Sequence, residues 1–146
     1  GFEPTWACDL ATMQPVTIEA RGNACSIPVT LAGRNSIAIA LLPDAPVGVD
    51  LSVQNATLKP GDTLQYRVRV LNAAGNPARG CHLIEIEVTG PDGEVVSRFG
   101  GSTATEDGVL TRSIPVPMNA LPGEYRIVVR APQANAQTEA HFTVAP

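Results

Sequence analysis

The sequence has little lysine, few aromatic residues and few charges, and each shortage removes a class of function. Lys59 is the single lysine, and the arginines that supply the remaining basic charge form no block. With a formal net charge of -4 this leaves no electrostatic footprint for nucleic acid. Charged residues make up 16% of the chain and aromatics 4%, so a row of exposed rings for sugars has few members to draw on. Long apolar runs are missing too. The longest, residues 37–43, falls far short of the roughly 20 residues a spanning helix needs, and no membrane insertion is expected. Neither a CxxC pair nor a Cys/His cluster occurs, which argues against zinc, and no cofactor is expected. No signal peptide is visible. The excess of arginine over lysine is that of a high-GC bacterial genome.

What is present is turn chemistry. Gly and Pro number 13 each in 146 residues, which suits short strands joined by many turns better than helices. The three cysteines, Cys8, Cys25 and Cys81, allow one disulfide and one free thiol. Cys8 and Cys25 share the N-terminal segment and are the candidate pair, the competing reading being three small buried hydrophobes.

Residues 121–131, LPGEYRIVVRA, read as the central strand of a two-sheet β-sandwich. Tyr125, Ile127, Val129 and Ala131 share one face and Glu124, Arg126 and Arg130 the other, with only Val128 breaking the polar row. That period of two marks a half-buried antiparallel strand. Pro122 and Gly123 turn the chain just before it, and Tyr125 stands where immunoglobulin-like sandwiches place the tyrosine that ties a corner to the backbone.

The rest of the chain falls into two parts. Residues 1–43 read as a small antiparallel β segment with strands near 5–10, 16–20, 25–31 and 36–42. Gly22-Asn23 and Gly33-Arg34-Asn35 serve as its hairpin turns. So thin a sheet either packs on the next domain or closes a preceding one. Residues 44–48, with Pro46 inside them and Pro43 just before, are the expected linker. From 49 to 146 an all-β, immunoglobulin-like antiparallel β-sandwich is expected. Its further strands lie at 49–53, 63–71, 83–89, 94–99, 109–116 and 137–144, with 100–108 a flexible link. Pro115 and Pro117 consign strand 109–116 to a sheet edge or bulge.

Several stretches carry a family resemblance: LKPGDTLQYRVRVLNAAGNPARG, LIEIEVTGPDGEVV, IPVPMNALPGEYRIVVRA and the closing AHFTV. They resemble the immunoglobulin-like modules near the C-terminus of large bacterial beta-galactosidase-like glycoside hydrolases. They are also similar to macroglobulin-like domains, fibronectin type III strands and bacterial surface immunoglobulin-like repeats. Tyr125 stands where many such modules carry tryptophan. The resemblance covers about two thirds of the chain, and its motifs belong to the fold. It implies a non-catalytic accessory module of a secreted or cell-envelope carbohydrate-active enzyme, acting as spacer, docking surface or oligomer contact. Its partners would be neighbouring domains of a larger chain, and its location extracellular, periplasmic or at the cell surface. The alternatives are a carbohydrate-binding module contacting polysaccharide, and one link of an adhesion or macroglobulin-like array.

Candidate chemistry is sparse. Glu85 and Glu87 lie about 6.6 Å apart along one strand, near the separation of inverting glycosidases. A pair on one flat face cannot flank a glycosidic bond, so ion pairing with Arg126 and Arg130 is the expectation. His82 and His141, with Glu139, are the only conceivable metal set. Cys81 and His82 point to opposite faces of a strand and cannot form a dyad. Of the aromatics not assigned to the core, Phe2, Trp6 and Phe99, the candidate ligand contacts are Trp6 and Phe99.

Overall fold

The computed structural model describes residues 3–21, 24–30, 33 and 36–146; side chains are described for all of these except Ala20 and Arg21. The N-terminal part has β1 (Trp6–Asp9) at the centre of a sheet, with β2 (Gln14–Val16) on one side. The β3 (Glu19–Arg21) and β4 (Ala24–Ser26) strands make a separate ribbon, and β5 (Ile39–Leu42) returns to the other side of β1. Asp9 builds the first turn: its carboxylate accepts the Ala11 N–H at 2.8 Å, and its carbonyl accepts the Met13 N–H. Met13 takes a left-handed φ of 56° to close that turn. Of the strand expected over 25–31, the described residues up to 30 form a strand only within Ala24–Ser26, and Leu31 lies outside the described residues. The hairpin residues Gly22, Asn23, Arg34 and Asn35 lie outside the described residues, as does Phe2.

The sandwich comes next, with β6 (Gly48–Val53), β7 (Thr57–Leu58), β8 (Thr63–Leu71), β9 (Leu83–Thr89), β10 (Gly101–Ala104), β11 (Val109–Pro115), β12 (Gly123–Ala131) and β13 (Ala136–Val144). One sheet runs β11-β8-β6 and the other β10-β9-β12-β13-β7, so β12 is central as its pattern requires. Pairing is antiparallel except for a short parallel contact of β7 with β13. The β11 strand, carrying Pro115, does lie on an edge, where no partner misses the absent N–H.

Alternation places the core. Leu64, Tyr66, Val68 and Val70 of β8 face Ile84, Ile86 and Val88 of β9 and Tyr125, Ile127 and Val129 of β12, and all are buried. Each such side chain contributes roughly 1.5–3 kcal/mol relative to an exposed one. Asp50 and Arg69, opposite each other on β6 and β8, are bonded at 2.5 Å and mark the register of that edge.

Two expectations fail between β9 and β11. Residues 94–99 make only a bridge from Val95 to Thr89 and a 3₁₀ turn over Ser97–Phe99. The link expected to be flexible instead contains β10, paired with β9 from Gly101 to Ala104. Gly100 permits this crossing, since a Cβ there would lie 2.4 Å from the Ile86 carbonyl oxygen. A short edge strand of small polar residues needs no apolar row, so its pattern carries no signal.

Candidate functional sites at the ends and outer face of the sandwich

At one end the N-terminal sheet meets the sandwich. Leu42 is buried, and Gly80, with φ 102°, brings the 78–80 loop so close that a Cβ would sit 2.9 Å from the Leu42 Cδ2. Asp44 is the fastener. It accepts the Arg79 backbone N–H at 3.0 Å and the Arg79 guanidinium at 2.8 Å, and its Oδ2 lies 3.3 Å from the donating Asn72 Nδ2. These bonds, first that of the Arg79 side chain and then that of its N–H, hold the Asp44 carboxyl well below the usual carboxylate range. The Val47 N–H donates to the Leu71 carbonyl at 2.8 Å, so the segment read as a linker is tied to β8 as well.

The loop bearing Arg79 is fixed from behind. The Ala78 N–H donates to the Val70 carbonyl, and the Gly80 N–H to the Asp107 carboxylate. His82 is fully buried, with Nε2 at 3.1 Å from the Ala78 oxygen and 3.2 Å from the Arg79 oxygen. Carbonyls only accept, so Nε2 carries the proton and Nδ1 is a bare lone pair. That Nδ1 is buried and has no partner. Burial pushes the imidazole pKa down, against the opposing pull of the two carbonyls and Asp44.

The opposite end is apolar. Tyr125 donates its hydroxyl to the Leu121 carbonyl at 2.9 Å, the corner bond expected of it. Beside it Pro91, Val96, Phe99, Pro117 and Leu121 line a groove of about 200 Å³. Val95, Met118 and Leu121 are exposed around this end, Met118 by 80%. The last strand arrives here too, where the Ala145 N–H donates to the Leu58 carbonyl.

The outer face of the larger sheet carries two arginines, each set against a glutamate, with Glu85 and Glu124 as further carboxylates. Arg126 bonds Glu139 across β12 and β13, and Arg130 lies 3.6 Å from Glu87. Arg126 is therefore taken by β13 and not by the glutamates of β9. Its guanidinium holds the Glu139 carboxyl below its ordinary value. His141 lies 3.3 Å from Glu124 and 3.9 Å from Glu139.

The remaining candidates divide. Phe99 is 1% exposed, packed edge-on at 6.2 Å from Tyr125 and 6.4 Å from Phe142, so it is a core residue and not a ligand contact. Tyr66 donates its hydroxyl to the Phe99 carbonyl, pinning that turn from the facing sheet. Trp6 is half-buried on β1 opposite Leu42, next to the joint. Cys8 is buried, Cys25 and Cys81 are exposed, and all three are free thiols, so the Cys8–Cys25 disulfide is not formed. Cys8 sits inside the β1 sheet, whereas Cys25 belongs to the separate β3–β4 ribbon. His82 and His141 do not meet. The register His141–Arg126–Thr89 puts His141 seven residues down β9 from His82, about 23 Å along the strand. No group of three metal-ligating side chains converges among the described residues. Sequence reasoning missed Asp44, Asn72 and Arg79, whose partners are 28 and 35 residues apart.

Two sheets in this order, closed by a tyrosine corner, define an immunoglobulin-like β-sandwich module. Residues 56–144 match the MG2 domain, and the chain belongs to that family. The family is one of non-catalytic immunoglobulin-like domains. Comparison with curated proteins gives no match. Among solved structures the chain is similar to the native conformation of E. coli alpha-2-macroglobulin: 21% identity, 87% of this chain, 8% of that chain and a TM-score of 0.56. It is also similar to the adhesin InvE of Yersinia pseudotuberculosis: 15% identity, 82% of this chain, 38% of that chain and a TM-score of 0.53. At these identities the likeness is one of fold. The macroglobulin-like part of the sequence resemblance is supported, and the glycoside-hydrolase part gains nothing from these findings.

Proposed function

We propose that this chain is a non-catalytic connecting module of a longer macroglobulin-like or surface protein outside the cytoplasm, acting through its two ends and not through a cleft. The observation that carries this reading is the contrast between ends and faces. Both arginines of the larger sheet's outer face are taken by glutamates of that face, whereas at one end Asp44, just after the N-terminal sheet, is bolted to Arg79 of the sandwich and the other end exposes Met118 and Leu121 where the last strand arrives. Membership of the MG2 family supports it, as does likeness to parts of much longer chains. The partners are then neighbouring domains packed end to end. Supporting a carbohydrate-active enzyme is the narrower version of the same role.

The test is binding of the 146-residue protein to a panel of soluble and insoluble polysaccharides, with Trp6→Ala alongside, paired with peroxide oxidation of Met118 in this chain and in the longer protein. The reading expects no glycan shift, and fast oxidation of Met118 that slows at least tenfold in the longer protein. A shift with one glycan class that Trp6→Ala abolishes would replace it with carbohydrate binding. Equal oxidation in both contexts would refute docking at that end.

A further inference from the structure

The joint holds a buried titratable group that a mere spacer does not need. His82 is sealed at 0% exposure, and the 78–82 loop it locks is the one that presents both the N–H and the guanidinium of Arg79 to Asp44. Only the neutral ring fits. Its Nε2–H is shared by the Ala78 and Arg79 carbonyls, while a proton on Nδ1 would find no acceptor. We propose that this junction is an acid-opened latch, in which protonation of His82 forces the 78–82 loop open, withdraws Arg79 from Asp44 and frees the N-terminal sheet to move against the sandwich.

The charged groups on the elements around the ring are Asp44 of the connecting segment, Arg79 of its own loop, and Glu106 and Asp107 of the turn before β11. Thr105, whose Oγ1 accepts the His82 N–H, and Gln133, whose Oε1 accepts the Leu83 N–H, are neutral. Asp44 pulls toward protonation, yet burial outweighs it. An open imidazole takes its proton near pH 6.5, while the closed one resists, so the closed state loses stability as pH falls below about 6.5 and loses no more beneath the closed-state value. Asp44 contributes the opposite kind of term, lost only as pH falls below the ordinary carboxylate range. Between pH 6.5 and 5 the clamp therefore stays charged, and His82 alone drives opening. Local opening has to part the Arg79, Gly80 and His82 N–H bonds to Asp44, Asp107 and Thr105, while Arg79 and Cys81 already face water.

Amide hydrogen exchange, followed by NMR from pH 7.5 to 5 and corrected for intrinsic rates, tests this on the 146-residue protein. The Arg79 and Val47 N–H groups report directly, since their bonds cross the joint. Their protection should fall up to about tenfold per pH unit below 6.5, while Val68 and Ile127 in the core keep theirs. In His82→Gln the loss should vanish. Protection at Arg79 that is independent of pH, or that falls equally in the variant, overturns the latch; so does equal loss at Val68 and Ile127, which would make the effect global. Should His82→Gln not fold, the wild-type ring decides. An imidazole that titrates near 6.5 while Arg79 stays protected refutes the proposal, and one that stays neutral until Arg79 opens supports it.

Discussion

Replacing Phe99 with alanine separates a core keystone from a surface contact. Its ring lies edge-on to Tyr125 and Phe142, which stack on each other at 4.9 Å, and its carbonyl holds the Tyr66 hydroxyl. Truncation of a fully buried phenylalanine removes its transfer free energy and leaves a cavity, together costing about 3–5 kcal/mol. The neighbours can relax little, because Tyr125 is tied at its hydroxyl and Phe142 is fixed between Tyr125 and the facing sheet. Against a total stability of roughly 5–15 kcal/mol this is a large fraction, and a melting temperature lower by about 10–20 °C is expected. Thermal unfolding by circular dichroism, with guanidinium chloride titration for the free energy, measures it. A double-mutant cycle with Phe142→Leu adds a finer check, with a coupling of about 0.5–1.5 kcal/mol expected for an aromatic pair. A loss under about 1 kcal/mol, or no coupling, would refute the assignment of Phe99 to the core.

Three further outcomes rest on single contacts. Tyr125→Phe removes the corner bond and leaves the Leu121 carbonyl unpaired, so a loss of about 1 kcal/mol in guanidinium unfolding is expected, and an unchanged midpoint would refute the bond. Titration with a thiol reagent should find Cys25 and Cys81 reactive in the folded protein and Cys8 only after unfolding, since burial first and Asp9 second push its thiol pKa up; a single thiol in denaturant would mean a disulfide exists after all. Gly100→Ala pushes a methyl group against the Ile86 carbonyl, so a loss of about 1–3 kcal/mol with faster amide exchange in β10 is expected, and unchanged exchange there would refute the close crossing.

Much of this fold is written in alternation. The inward rows of β8, β9, β12 and β13 can be read residue by residue because each strand is long and one-sided. What cannot be read is whatever depends on distance along the chain. The β10 strand is four residues of small polar character on an edge, and its pairing is enforced by Gly100 and not by hydrophobicity. Phe99 looks free in the sequence because the strand expected over 94–99 ends in a 3₁₀ turn at Ser97–Phe99, and the ring of Phe99 is buried. Asp44 looks like linker because prolines surround it, although prolines forbid helix and central strand without forbidding attachment. The aspartate finds its arginine only after β6 and β8 have folded back, 35 residues on.

That last pairing shows how a segment without secondary structure can be the more exactingly built part of the chain. The β-sheet register tolerates many sequences, since any apolar row of the right period fills the core. The joint does not. It needs Gly80 for approach, with its φ of 102°, Asp44 to receive four nitrogen donors, three of them from Arg79, and at position 82 a ring that donates from one nitrogen and hides the other. A hydrophobic residue at 82 would leave the Ala78 and Arg79 carbonyls without this donor, and a lysine would bury a charge, so histidine satisfies the loop only while neutral. Residue choice at the joint is therefore set by protonation as well as by shape, whereas the sandwich core is set by shape with the Tyr66 and Tyr125 hydroxyls as its polar ties.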